Sequence, residues 1–133
     1  MCVDGAVVGE IGRGLVALVG VETADEPAQA RMTAQKIRFL RVFEDAEGKM
    51  NLDVVQAAGA VLLVSQFTLA ADVARGRRPS FSVAAPPQRA RELIAVVAHE
   101  LAELGVPIAQ GRFGASMEVE LVNDGPVTFV LDC

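Results

Sequence analysis

Ser65, Gln66 and Thr68 bring two hydroxyls and an amide to the end of an otherwise apolar segment. The run 60–69 reads A-V-L-L-V-S-Q-F-T-L. Its first half is a short apolar stretch bounded by Gly59, the pattern of a buried strand. Its second half turns polar without stopping. Buried without partners, such groups cost about 1–3 kcal/mol each. They therefore either bond the next loop or present donors and acceptors to a ligand from a rigid strand end. A second stretch, 123–128, reads N-D-G-P-V-T after an alternating segment. Asp124-Gly125 signals a hairpin, and Pro126 withholds an amide from any returning strand. X-Pro bonds are the usual place for a cis peptide. A cis Gly125-Pro126 bond would aim backbone carbonyls outward in a fixed direction; the simpler alternative is a hairpin tip stiffened by proline.

Other chemistries find little support. The one histidine, His99, falls in a helical pattern off the stripe of Leu93, Val97 and Leu101, which reads as a solvated position. One histidine and two terminal cysteines, Cys2 and Cys133, make no ordinary transition-metal site. No metal or cofactor is expected. The sequence has no nucleophile elbow to serve a Ser-His-Asp triad. Gly12-Arg13-Gly14 lacks the Lys-Ser/Thr of a phosphate loop. Asp45 and Glu47 read as turn residues. If the chain is an enzyme, side-chain acid–base chemistry is not its obvious means.

The elements that must hold these groups follow from punctuation and periodicity. Asp4-Gly5 predicts a hairpin. The apolar run 15–21 predicts a central strand. Asp25 is a candidate N-cap, with Pro27 in the first turn and Ala30, Thr33, Ile37 and Leu40 at helical spacing. Short strands are expected at 41–43 and 50–52 around an Asp45 turn, then at 60–69. A polar loop at 71–82 carries Arg75, Arg77 and Arg78. Pro86-Pro87 opens a second helix, whose stripe of Leu93, Val97, Leu101 and Leu104 stops at Gly105. Strands are expected at 106–108, 117–122 and 127–131, the first of the last two alternating Met117, Val119 and Leu121 with Glu118 and Glu120. The fold class is α/β, of mixed α+β type, with two main helices.

The 133 residues make one domain, 1–133. Hydrophobic residues reach 52%, yet the only aromatics are 6 phenylalanines, so the core must be Val, Leu, Ile and Ala. So large an apolar share in a small chain implies a surface covered by a partner, most simply a second copy. No apolar run approaches a membrane span and no signal peptide is visible, so the cytoplasm is the expected location. A net charge of -5 argues against a broad, sequence-blind nucleic-acid binder. It leaves room for a protein that grips one RNA end through a small site.

The motifs at 65–69 and 123–128 resemble the two signature motifs of the D-aminoacyl-tRNA deacylase family. The resemblance extends to V-D-G at 3–5, F-x-D-x-x-G-K-M-N-L at 43–52, G-R-R-P-S-F-S at 76–82, A-P-P at 85–87 and G-R-F-G-A at 111–115. It implies a β-barrel-like mixed domain working as a homodimer. The implied reaction is hydrolysis of the ester between a D-amino acid and the 3′-terminal adenosine of tRNA, with clearance of glycine mischarged on tRNA(Ala) as a related activity. It further implies that Ser65, Gln66, Phe67 and Thr68 line the pocket floor and that Phe113 stacks on or packs beside the adenine. Gly125 and Pro126 would enter the partner subunit's pocket, where their oxygens hold the α-amino group of the D-residue and exclude an L side chain. Catalysis would use either the Thr68 hydroxyl as nucleophile or the tRNA 2′-hydroxyl, with backbone amides of Phe67 and Thr68 stabilising the oxyanion. The absence of a base beside Thr68 favours the second. Arg75, Arg77 and Arg78 would contact tRNA phosphates or simply be solvated.

One departure stands out. The family pattern has a V-x-Q-R-V strand before the region matching Cys2-Val3-Asp4-Gly5, so an upstream extension encoding it is expected. Two other readings follow from the same resemblance. One is a catalytically silent homologue that dimerises and binds tRNA ends. The other is a sister deacylase for a mischarged L-amino acid with a trans Gly125-Pro126 bond.

Overall fold

In the computed structural model, which describes residues 1–125 and 127–133, a central strand is paired on both edges and packed against the helices. The order is β1 (Cys2–Val3), β2 (Ala6–Val7), β3 (Gly14–Val19), α1 (Pro27–Phe39), β4 (Phe43–Glu44), β5 (Met50–Leu52), β6 (Ala60–Ser65), a 3-10 turn (Phe67–Ala70), α2 (Pro87–Glu103) and β7 (Ile108–Gln110). The strands fall into three sheets: the β1-β2 hairpin, the β4-β5 hairpin and a parallel sheet of order β3-β6-β7. This is a mixed α/β fold with two main helices.

β6 occupies the middle because it is apolar on both faces. Val61 and Leu63 pack with Ala34 and Ile37 of α1 and with Leu93, Val97 and Leu101 of α2. Leu62 and Val64 point the other way, to Met1, Val8, Ile11, Val16 and Met117. A strand covered on both sides reads as a continuous apolar run rather than an alternating one. The run 15–21 reads equally apolar, but its strand lies at the sheet edge, pairing Gly14 with Ala60 through Val19 with Ser65. Leu18 there is left exposed.

Local chemistry sets the element ends. Asp4 and Gly5 take φ of 50° and 79°, the paired left-handed geometry of a tight two-residue hairpin. The first helix starts one residue later than the sequence suggests. Glu26 is the N-cap, forming a capping box with Gln29, and Pro27 fills the first helical position. Asp25 instead accepts a hydrogen bond from the Glu22 amide at 2.8 Å. The segment 66–69 is not strand: past Ser65 the chain curls into the 3-10 turn. β7 likewise begins at Ile108 rather than 106.

The largest correction is near the carboxyl terminus, where neither 117–122 nor 127–131 is a strand. Only Glu118 is bridged, to Cys2. A strand needs a neighbour for its backbone groups, and none of the described residues offers one beyond Glu118. Val122 and Val130 are 92% and 90% exposed. Asn123 Nδ2 donates to Thr128 Oγ1 at 3.1 Å, which draws that stretch together without strand pairing.

Arg38 and Asp53 tie the helical layer to the segment before β6. Arg38 Nη1 lies 2.9 Å from Asp53 Oδ2, and Arg38 Nε donates to the Leu104 carbonyl at 3.1 Å. The Gln56 amide, donating to the Asp53 carboxylate at 2.8 Å, and the Arg38 guanidinium hold the Asp53 pKa below its ordinary value despite burial. A depressed carboxylate pKa stabilises the fold above the unfolded-state value of 3.8. That contribution disappears as pH falls through the folded-state pKa. The melting temperature should therefore drop below about pH 4. In Asp53→Asn, a lower starting stability should vary less over that window, measured by circular dichroism melts.

Candidate active site

A cavity of about 260 Å³ opens at the carboxyl end of β6. That is the end of a parallel strand at which α/β proteins commonly bind ligands. Its walls come from three places: Leu63, Val64 and Ser65 of β6; Arg91, Ile94, Ala95 and Ala98 of α2; and residues 110–113 with Met117. The size suits one base or nucleoside, just under the roughly 300–1,000 Å³ usual for ligand sites.

Ser65 and Phe113, forty-eight positions apart by number, line this one cavity. The tertiary fold joins them because α2 carries the chain back and β7 sets residues 111–113 beside the end of β6, pairing Leu63 with Gln110. Phe113 is half-buried. The Arg91 guanidinium covers one side of its ring, 5.0 Å from the centroid.

Gln66, Phe67 and Thr68 follow directly from the cavity wall. The Gln66 amide donates to the Val19 carbonyl at 2.8 Å, which fixes the exit of β6. Gln66 Nε2 donates to Thr68 Oγ1. The first amides of a helical turn have no acceptor within it. Accordingly, among the described residues the N–H groups of Phe67 and Thr68 donate to nothing, while Leu69 N–H bonds the Gln66 carbonyl at 3.2 Å. Two adjacent free donors on a rigid turn suit a developing oxyanion. Gly20 sets the turn: a Cβ there would lie 3.0 Å from Leu69 Cβ and 3.1 Å from the Gln66 carbonyl oxygen.

One predicted site residue, Gly125, stands apart, and a second cannot be placed. Gly125 lies in the exposed segment that follows Glu118 and does not line the cavity. Pro126, and with it the Gly125-Pro126 bond, lies outside the described residues. His99 is exposed on α2, 3.8 Å from Glu103 Oε1 and away from the cavity lining.

Sequence reasoning missed three contributors. Arg91 sits on α2, and no local pattern distinguishes it from Arg89 there. Gly20 has its role only through contact with the turn at 66–69. Phe81 packs on Phe67 with ring centroids 5.2 Å apart at 57°. It belongs to the G-R-R-P-S-F-S segment, which drew notice but yielded no role for its phenylalanine.

Fold and site together define an α/β protein with a largely apolar pocket at the end of a parallel strand, followed along the chain by a turn with free main-chain donors. A family model described as D-Tyr-tRNA(Tyr) deacylase matches residues 1–132. The chain belongs to that family. It is 54% identical over 130 residues to a D-aminoacyl-tRNA deacylase of Roseiflexus castenholzii, covering 98% of this chain and 83% of the relative. It is 58% identical over 125 residues to that of Desulforudis audaxviator, covering 94% and 84%. Among solved structures it resembles the c-Myc DNA Unwinding Element Binding Protein, with a TM-score of 0.92 and 36% identity over 99% of this chain and 90% of the other. A probable eukaryotic D-amino acid tRNA deacylase shares the fold at a TM-score of 0.71 and 15% identity, over 87% and 83% of the two chains.

Proposed function

We propose that this protein hydrolyses the ester of D-aminoacyl-tRNA, releasing the free D-amino acid and tRNA. The observation that carries the reading is the continuity of pocket and donors. Ser65 and Phe113 share the cavity, and the free amides of Phe67 and Thr68 follow Ser65 along the same chain. The terminal adenosine occupies the cavity beside Phe113, and the scissile carbonyl lies over the 3-10 turn. A water, polarised by the tRNA 2′-hydroxyl, attacks the carbonyl carbon. The Phe67 and Thr68 amides take the oxyanion. The carbon–O3′ bond then breaks, O3′ takes a proton, and the carboxyl group leaves with the D-amino acid. Among the described residues no side-chain base hydrogen-bonds Thr68, whose hydroxyl accepts from Gln66.

The site is completed by a second copy, whose Gly125 and Pro126 reach into the pocket and hold the α-amino group through main-chain oxygens. Exposed apolar side chains along the carboxyl-terminal segment, with Leu121, Phe129 and Val130 at 54%, 55% and 90%, support such a covering partner. Light scattering should give twice the 14.0 kDa chain mass; a fully active monomer would refute the shared site. The cytoplasm, where aminoacyl-tRNA is used, is the proposed location.

If main chain enforces handedness, Thr68→Ala should slow D-tyrosyl-tRNA hydrolysis by no more than about tenfold. It should also leave the preference for D- over L-tyrosyl-tRNA intact. Single-turnover deacylation of both substrates is the measurement. Loss of discrimination in Thr68→Ala would place chirality in a side chain instead. Failure of the unaltered protein to cleave D-tyrosyl-tRNA would refute the function itself.

A further inference from the structure

Beyond the pocket, the chain builds a second exposed feature directly from the 3-10 turn. Asp72 and Ser80 form an antiparallel bridge, with Asp72 N donating to the Ser80 carbonyl at 2.7 Å and Ser80 N to the Asp72 carbonyl at 2.8 Å. Asp72 Oδ1 also accepts from the Ala74 amide at 2.9 Å. The bridge pins a seven-residue excursion, 73–79, that contains Arg75, Arg77 and Arg78 around Gly76 at φ +66°. All three arginines are exposed, and none forms an ion pair among the described residues. In a chain of net charge -5, a cluster of three unpaired cations is a local exception. At the base of the excursion, next to Ser80, Phe81 pairs with Phe67, and both rings are half exposed, at 41% and 56%.

We infer that Phe67, Phe81 and the Arg75, Arg77 and Arg78 loop form a docking surface for the unpaired nucleotides just 5′ of the terminal adenosine. Bases stack on the aromatic pair while the loop contacts their phosphates. Exposed aromatics beside unpaired cations are the usual means of holding single-stranded nucleic acid. Chain continuity sets the direction. Ser65 lines the cavity, Phe67 lies two residues outside it, and the basic loop begins three residues after the turn ends. A strand whose last base fills the cavity leaves over this surface. The inference rests on the proposed function, because that reading puts the RNA terminus in the cavity.

The test uses a 5′-fluorescein single-stranded RNA octamer ending in CCA, followed by anisotropy, beside hydrolysis of D-tyrosyl-tRNA and of D-tyrosyl-adenosine, which lacks phosphate. Arg75→Ala/Arg77→Ala/Arg78→Ala should weaken RNA binding by tenfold or more at about 50 mM salt. It should also reduce the slope of log affinity against log salt by about two, from three phosphates at about 0.7 each. The same variant should raise KM for D-tyrosyl-tRNA with kcat within about twofold and leave D-tyrosyl-adenosine hydrolysis unchanged. Phe81→Ala should weaken RNA binding about fivefold or more without altering the salt slope, and Phe81→Tyr should restore it. Unchanged RNA affinity in these variants overturns the inference. So does an equal loss on D-tyrosyl-adenosine, which would place the effect in the pocket. A change in particle mass by light scattering would assign the surface to contact between copies and overturn it too. If the unaltered protein cleaves neither ester but binds the octamer through these residues, the docking surface stands and the proposed reaction fails.

Discussion

Gly14→Ala should cost the protein a large part of its stability. A Cβ at position 14 would lie 1.8 Å from the Ala60 carbonyl oxygen and 2.7 Å from the Ala60 carbonyl carbon. Both are backbone atoms of the central strand, and Gly14↔Ala60 is the first rung of the β3-β6 ladder. A flexible side chain could step aside, but this backbone cannot move without parting the two strands. Ala60 is further held by its amide, which donates to the Arg13 carbonyl at 3.1 Å. A loss of about 3–5 kcal/mol is expected, against a total of about 5–15 kcal/mol for a domain of this kind. The melting temperature should fall by about 10–20 °C. Gly12→Ala is the control, because a Cβ there meets nothing within 4 Å. Thermal melts of the two variants decide the matter. A Gly14→Ala protein melting within about 3 °C of the unaltered chain would show that the ladder yields more easily than backbone packing permits.

The second large effect is expected from Phe113→Ala. Among the described residues this ring is the one aromatic side chain on the cavity wall, and Arg91 lies against one side of it. If adenine packs on the remaining surface, truncation removes a stacking contact worth about 1–3 kcal/mol. The value of kcat/KM for D-tyrosyl-tRNA should fall about tenfold to a hundredfold. Most of the change should appear in KM, since the contact is equally present before and during reaction. Phe113→Trp, which keeps a stacking face, should recover part of the loss. Arg91→Ala should give a smaller loss, by freeing the ring rather than removing it. A Phe113→Ala enzyme with unchanged KM would place the base elsewhere.

Much of the candidate site can be read from the sequence alone. The polar end of the 60–69 run marked Ser65, Gln66 and Thr68, and the resemblance of several motifs pointed to Phe113. The helix boundaries followed from Pro27, Pro87 and Gly105, and the first hairpin from Asp4-Gly5. These are local rules, satisfied by residues a few positions apart, so a linear reading can apply them. The same reading placed a strand over 66–69, where the chain instead forms the 3-10 turn that leaves the Phe67 and Thr68 amides free. Hydrophobicity marks burial but does not say whether backbone groups continue along a neighbour or turn away.

The chain by itself determined its helices, its apolar central strand, its lack of an obvious acid–base constellation and, through its motifs, its family. Those properties depend on side-chain chemistry and short-range spacing, which are written in residue order. Tertiary structure decided which of two equally apolar runs became the centre of the sheet. It also brought Ser65, Arg91 and Phe113 to one cavity, seated the turn at 66–69 against Gly20, and paired Phe81 with Phe67. It kept the alternating segment at 117–122 from becoming a strand. Each of those outcomes depends on which backbone or side chain arrives opposite a given residue. Pairing and close approach are relations between distant positions, and no pattern within one segment specifies its partner.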